Sequence, residues 1–369
     1  MYIYVCVWLL FFFLALVNVK RKIPQSVGYF LIALLALFVG FREDIGTDWD
    51  TYKNIYYNFI YKINNVDEIF QMEPFFVLIG LICSLFSLSH CAFFTVLSFI
   101  SLFTIWHVIL RFKIQYPFLA LFIFFCSFFF QFEMNVVRHG IMVSFVWLAF
   151  SYLKERNYKK TCLFFLCACC FHVLAACILP LIFFLKIKIS KTFMIIATPL
   201  VFLSFLMHVT SGLISLFLGN IPLIGDKALF YMTSYYYYGQ NMAYGMTAGA
   251  LLNLAVLLFC FFRMRTLYSS DSIFRLILNA MFLSYVLICV LNDFSVFVER
   301  VVSLFNVANI FVYPYILKHL FKKQSNRLIG YLILSVYLCM IFYTNMTVPG
   351  PYKVYQFLPY NFDSTPLFI

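Results

Sequence analysis

The stretch Arg42-Glu43-Asp44-Ile45-Gly46-Thr47-Asp48-Trp49-Asp50-Thr51-Tyr52 packs four acids, an arginine, a glycine and two aromatics into eleven positions of a chain that is 11% charged. It falls between two long apolar runs, so it marks a polar substrate site outside a bilayer. Carboxylates there can orient and deprotonate a hydroxyl group. Gly46 permits a turn that other residues avoid. Thr47 or Asp48 can then cap a helix, because their side-chain oxygens accept the orphan amide hydrogens of its first turn. Asp48, Tyr52 and Tyr56 recur four apart and share one helix face. Arg42, Asp44, Trp49 and Tyr52 are the further groups of this stretch expected to hold substrate. The plainer reading of the same residues is a solvated loop leading into an interfacial helix.

Charges inside apolar spans cost about 2.5–3.5 kcal/mol each, so each asks for a reason. Glu73 precedes Pro74 at the head of an apolar run, where an acid suits the helix dipole and proline the first turn; the alternative role is to hold a sugar or take its proton. The segment Gln131-Phe132-Glu133-Met134-Asn135-Val136-Val137-Arg138-His139-Gly140 interrupts two apolar runs. Asn135 and Arg138 are helix neighbours. The planar guanidinium of Arg138 matches phosphate oxygens in a way that lysine does not, or else it snorkels to the membrane surface. His172 lies in an apolar run between Phe171 and Val173, either as a buried hydrogen-bonded side chain or as a group that positions phosphate or moves a proton. Asn292-Asp293 and Glu299-Arg300 frame a later break, and Arg300 is a second candidate for a diphosphate. The run Tyr235-Tyr236-Tyr237-Tyr238 offers either interfacial anchors or a stacking platform for sugar rings, with Tyr235 and Tyr238 as its candidate contacts.

These residues must be positioned by membrane helices. The chain has 369 residues, 64% hydrophobic and 22% aromatic, with a mean hydropathy of +0.96; soluble chains are about half apolar. A spanning helix takes about 20 apolar residues. Candidate spans are 2–17, 25–41, 74–89, 92–110, 116–132, 137–153, 161–185, 191–208, 247–262, 273–291, 300–317 and 328–345. The fold class is therefore all-α, a polytopic integral membrane protein with roughly 10–12 membrane segments, some of them re-entrant. A single transmembrane domain over 1–369 is expected, with outer segments 42–72 and 209–246. The net charge of +12 sits in short clusters at span ends, which reads as topology and excludes a nucleic-acid stripe. Lys20, Arg21 and Lys22 follow the first apolar run, so a retained helix is expected there and not a leader. Cys167-Ala168-Cys169-Cys170 has no second ligand pair at metal spacing, and no glycine-rich phosphate loop is present. No metal and no other cofactor is expected.

Basic residues favour the cytoplasmic side, and most clusters lie there if the N-terminus is outside. Five ordinary crossings between 74 and 185 would put both Arg111/Lys113 and the run Lys154 to Lys160 outside. If 161–185 is instead a hairpin with His172 near its tip, and 116–136 does not fully cross, only Arg111 and Lys113 disagree with the rule.

Arg42 with Gly46-Thr47-Asp48 and Tyr52, Glu73 opening the next span, Asn135-x-x-Arg138, Phe171-His172 and a late Arg300 resemble, in this order, the EpsG family of bacterial exopolysaccharide and O-antigen polymerases. The resemblance covers roughly 25–320 and departs from the family pattern at His139, where glutamine is more usual. It implies a GT-C-like layout related to Wzy-type polymerases in the bacterial cytoplasmic (inner) membrane. Such enzymes join undecaprenyl-diphosphate-linked repeats on the outer side, serving lipopolysaccharide O-antigen or exopolysaccharide synthesis. Donor and acceptor are then both lipid-linked glycans, with a flippase and a chain-length regulator as protein partners and no nucleic acid. On this reading Arg138 and Arg300, helped by His172, stabilise charge on the departing diphosphate. Asp48, with Asp44 and Glu73 as alternatives, is the base. The rivals are a transporter or flippase of lipid-linked sugars, which predicts internal repeats, and a membrane-bound acyltransferase with His172 as its base.

Overall fold

A computed structural model of the protein describes residues 1–61, 72–207, 245–292, 295–349 and 354–368. Among the described residues it is 78% helix without strands, as expected of an all-α membrane protein. Among the described residues five helices are long and apolar enough to cross a membrane, Tyr2–Lys20, His90–Arg111, Ser272–Val290, Val298–Leu320 and Gln324–Met346, and six apolar helices are shorter. Two compact units emerge, one of Met1–Cys177 with Tyr313–Ile369 and one of Ile178–Val312.

The first unit begins with α1 (Tyr2–Lys20), α2 (Gln25–Gly40), α3 (Trp49–Tyr61), α4 (Pro74–Leu85) and α5 (His90–Arg111). It continues with α6 (Pro117–Ser127), α7 (Phe129–Met134), α8 (Val137–Lys154) and α9 (Tyr158–Phe171). Prolines open α4 and α6, where no amide hydrogen is needed. Ser89 and Asn157 cap α5 and α9 through their side-chain oxygens.

Lengths and contacts assign the two ends of this unit. Arg111, at the C-terminus of α5, donates to Glu155 at 2.7 Å and to Ser151 at 2.9 Å, beyond and at the end of α8. Asn18 near the end of α1 accepts the Phe118 amide at the start of α6 at 3.1 Å, and the Lys20 carbonyl accepts from Gln324 at 3.4 Å. Lys20 to Lys22, Arg111, Lys113, Lys154 to Lys160 and Lys322/Lys323 thus share one end. Tyr4, Arg42, Met134, His90 and the tail 354–368 meet at the other, where the Tyr4 hydroxyl donates to the Phe357 carbonyl at 3.0 Å.

This arrangement corrects two expectations. The apolar run 74–89 does not cross: α4, at about 18 Å for its length, stays beside α3. Phe76 packs on Tyr52 with ring centroids 5.6 Å apart, and the Leu88 carbonyl beyond α4 accepts from the Tyr56 hydroxyl at 2.6 Å. Segment 116–136, in contrast, runs from end to end as the broken pair α6 and α7. The carbonyls freed at that break are those of Cys126 and Ser127, and Asn345 donates to them at 2.8 and 3.3 Å; buried protein partners are what make such breaks tolerable at membrane depth. With both changes Arg111 and Lys113 join the other basic residues, and the conflict in the sequence disappears.

The chain goes on through α10 (Leu174–Ile178), a 3-10 segment Leu179–Lys186, α11 (Lys191–Leu206), α12 (Ala248–Arg263), α13 (Arg265–Ser270), α14 (Ser272–Val290), α15 (Ser295–Asn306) and α16 (Asn309–Leu320), and ends its helices with α17 (Gln324–Met346). Within the second unit, Asn279 on α14 donates to the Phe184, Leu185 and Ile187 carbonyls at 3.3, 3.0 and 2.8 Å. The Tyr268 hydroxyl donates to its Oδ1 at 2.9 Å. This buried knot supplies the hydrogen bonds that the 3-10 segment lacks. The span expected at 300–317 lies within Val298–Leu320, with a turn at Val307 and Ala308 between α15 and α16.

Candidate functional site

The acid-bearing loop 41–48 docks on the break between α7 and α8. Gly46 has φ +91° and approaches so closely that a Cβ there would lie 1.9 Å from the Met134 carbonyl oxygen. Asn135, in the break, accepts from the Thr47 amide at 3.0 Å and the Thr47 hydroxyl at 2.6 Å. The Thr47 hydroxyl also lies 3.2 Å from an Asp48 carboxylate oxygen. Asp48 is half-buried at the entry to α3, and its carbonyl accepts the Tyr52 amide at 3.0 Å. The turn at Gly46 and the helix start after it are where the sequence put them.

At the second residue of α8, Arg138 is held by groups from α3 and from the stretch 72–76 at the head of α4. Its Nη1 pairs with the Glu73 carboxylate at the head of α4 and lies 3.3 Å from the Met72 sulfur. Its Nε points at the Tyr52 hydroxyl at 3.5 Å, and the guanidinium carbon lies 5.5 Å from the Phe76 ring centre. The Arg138 and Glu73 side chains are 23% and 15% exposed, so this cation is caged yet reachable.

The face carrying Tyr52 and Tyr56 is an inner face of α3. Tyr56 is fully buried and stacks on Phe93 at 4.5 Å. Trp49 is buried too, with Nε1 donating to the Arg42 carbonyl at 3.0 Å and the Lys53 ammonium over its ring at 4.3 Å. Arg42 is fully buried; it donates to the Val39 and Ile45 carbonyls at 2.7 and 3.2 Å and lies 4.8 Å from the Phe94 ring centre. Burial pushes its pKa down to about 10, which leaves it a cation at neutral pH. Arg42 and Trp49 therefore hold the loop from beneath, while Asp44, at φ +51°, is exposed on its outer side.

His172 ends α9 in an extended conformation, half-buried, with its ring centre 5.9 Å from that of His139. Its Nδ1 accepts the Leu174 amide at 3.2 Å, which leaves Nε2 as the protonated nitrogen of the neutral ring. Arg138, Glu73, Tyr52, Asn135, Asp48 and His172 thus all belong to the end of the first unit where the helix breaks. Arg300 lies in the second unit on α15, partly exposed. Tyr235, Tyr238 and Asp293 lie outside the described residues, as does most of 209–246.

A model of the EpsG family matches residues 25–362. The chain belongs to the EpsG family. No curated protein and no solved structure matches it. Family membership carries a polysaccharide polymerase-like role and glycosyltransferase-type chemistry for this multi-pass membrane protein.

The reading from sequence missed several groups that the EpsG-family chain gathers here. Gln356 in the tail takes the Gly46 amide on its carbonyl at 3.2 Å. His90 and Asp363, 273 residues apart, pair at 2.7 Å with both side chains buried. Among the described residues, His90, Cys91 and Asp363 are the set whose metal-ligand atoms come within 4.8 Å of one another. The separation of His90 Nε2 and Asp363 Oδ2 is that of a charge-assisted hydrogen bond. Glu133, fully buried, accepts from Ser101 at 2.7 Å, with its second oxygen unsatisfied. The signals for these groups were faint: a histidine straight after the cap Ser89, and one of only 14 acids in an aromatic-rich tail.

Proposed function

We propose that the protein joins lipid-diphosphate-linked glycan repeats, with undecaprenyl diphosphate as the carrier, at the non-cytoplasmic face of a bacterial inner membrane. The observation that carries this is the caged, reachable Arg138 beside a helix break on which an acid-bearing loop is docked. Orientation follows from charge, because the end that collects the basic residues belongs in the cytoplasm. The Arg138 site and the N-terminus then face outward.

In the reaction the acceptor hydroxyl oxygen attacks the anomeric carbon of the donor. A carbon–oxygen bond forms, the bond to the diphosphate breaks, and the lipid diphosphate leaves with the electron pair. Asp48 takes the hydroxyl proton. Arg138 faces the charge that develops on the leaving group, in a partly dry site where a fixed cation acts more strongly than in water. Glu73 and Tyr52 hold the guanidinium in place when no substrate is bound, and the Nε2 hydrogen of His172 is a second donor to phosphate oxygen. A donor that already carries an activated leaving group needs no nucleotide.

The test is deletion of the gene and complementation, with surface polysaccharide resolved on gels. Asp48→Asn and Arg138→Lys are expected to leave glycans capped after one repeat while the protein inserts normally. Wild-type polymer from Arg138→Lys removes Arg138 from the mechanism. Accumulation of repeats that never reach the outer face indicates a flippase instead.

A further inference from the structure

We infer that the tail 354–368 is a strap that positions the acid-bearing loop, locked in place by the buried His90–Asp363 pair. The inference rests on the polymerase reading of that loop. It begins from main-chain hydrogen bonds that a loose tail would not make. The Glu43 amide donates to the Asn361 carbonyl at 3.0 Å, the Asp363 amide to Phe41 at 2.8 Å, and the Gly46 amide to Gln356 at 3.2 Å. Tyr360 stacks on Phe38 at 4.5 Å and Phe362 on Phe41 at 5.3 Å. Strap and loop are thus laid along each other through residues 41–46.

The fastening lies further along. Leu367 accepts the Ser89 amide at 2.8 Å, and Asp363 Oδ2 meets His90 Nε2 at 2.7 Å. The other Asp363 oxygen accepts the Thr365 amide and hydroxyl at 2.9 and 2.6 Å, so both carboxylate oxygens are engaged. An ionised Asp363 selects the tautomer with hydrogen on Nε2. His90 Nδ1 then accepts from the Tyr57 hydroxyl, 3.2 Å away. Tyr57 belongs to α3, the helix that begins after Asp48 and brings Tyr52 to Arg138. The lock therefore reaches the acid-bearing loop through the strap and the arginine cage through α3.

Gln356 adds a directional effect. The Thr47 hydroxyl has one hydrogen and faces two acceptors, Asn135 at 2.6 Å and Asp48 at 3.2 Å. Gln356 Nε2 approaches the same oxygen at 3.4 Å. A donor on that oxygen's lone pair keeps the hydroxyl donating, towards the break and towards the proposed base. Gln356, His90 and Asp363 are positioning residues on this account and touch no substrate.

The experiment uses the full-length protein in membranes and in detergent, with the host's own glycan as substrate. Asp363→Asn keeps the shape and removes the charge; His90→Phe removes the neutral donor from the other side. Hydrogen exchange over residues 41–48 is expected to speed up by about ten-fold or more when a charged hydrogen bond of this kind is lost. Polymer yield should fall in parallel, with membrane abundance retained. Gln356→Glu, which cannot donate to Thr47 and sets a second carboxylate near Asp48, is expected to lower polymer further than Gln356→Ala. Unchanged exchange in Asp363→Asn, or a loosened loop with wild-type polymer, overturns the inference. If Asp363→Asn is not produced, equal polymer from Gln356→Glu and wild type overturns it. Should Asp48→Asn and Arg138→Lys polymerise normally, the polymerase reading fails while the exchange result still reports on the strap.

Discussion

Replacing Gly46 by alanine tests the docking of loop on break with the least chemical change. Two effects of different origin add. The backbone at φ +91° is one that side chains with a Cβ rarely adopt, at about 1–2 kcal/mol. The new methyl also starts 1.9 Å from the Met134 carbonyl oxygen, a backbone atom, and must retreat beyond 3.0 Å. The loop therefore shifts by at least about 1 Å, and both Thr47 bonds to Asn135 are lost, each worth about 0.5–1.5 kcal/mol. The total, on the order of 2–5 kcal/mol, is confined to a loop outside the spanning helices, so insertion and abundance should hold. Activity should not hold, because a displacement of about 1 Å at a reacting group costs about 100-fold. Gly245→Ala is the control: its φ is +77° but nothing lies within 4 Å of a Cβ there, so only the backbone effect applies. The assay is complementation with gel analysis of surface polysaccharide, alongside immunoblots of the membrane fraction. Normal polymer from Gly46→Ala at normal abundance refutes the argument that this loop must sit on the break.

Glu73→Gln keeps an oxygen near Arg138 and removes the charge; polymer yield should fall about ten-fold, and an unchanged yield means that Glu73 does not hold the cation. Asn345→Leu strands the Cys126 and Ser127 carbonyls and should lower stability by about 1–3 kcal/mol, read as an earlier thermal midpoint in detergent; an unchanged midpoint means that water satisfies the break. Burial raises the Asp363 carboxyl, but hydrogen bonds from Thr365 and His90 outweigh it and hold the pKa at about 2. Because the folded value is depressed, the stabilisation of the strap is complete above the unfolded value of 3.8 and is lost as pH falls through about 2. Pepsin nicking of the strap should therefore differ between wild type and Asp363→Asn at pH 4.5 and converge near pH 2. A constant difference contradicts the assignment. With exposed cysteines replaced, Lys113→Cys and Lys159→Cys should react from the same side of the membrane, opposite to Ser364→Cys; reaction from opposite sides breaks the end-to-end path assigned to α6 and α7.

Local chemistry was legible because its causes are local. Gly46 sets the turn and the Asp48 carbonyl takes the first helical amide of α3 within a few residues, and Gln131 to Gly140 announce a break because polar side chains interrupt an apolar run. The ordered set from Arg42 to Arg300 was enough to suggest the family. Depth was not legible. Hydropathy states that Pro74–Leu85 is apolar, but an apolar helix beside α3 and one that crosses have the same composition. Only the contacts of Phe76 and Leu88 with α3 separate them. Burial within the site was hidden for the same reason: Arg42, Trp49 and Tyr56 carry polar atoms that read as solvent-facing until main-chain carbonyls are found to accept their hydrogens.

By itself, then, the sequence determined that the chain lives in a membrane, where its polar breaks fall and which residue types stand at them, since hydrophobicity, helix capping and turn chemistry act over a few positions. The tertiary structure alone decided which polar groups meet: Glu73 with Arg138, Thr47 with Asn135, His90 with Asp363. Such pairs are selected by the mutual satisfaction of buried hydrogen-bonding groups, a condition on three-dimensional proximity that spacing along the chain does not encode.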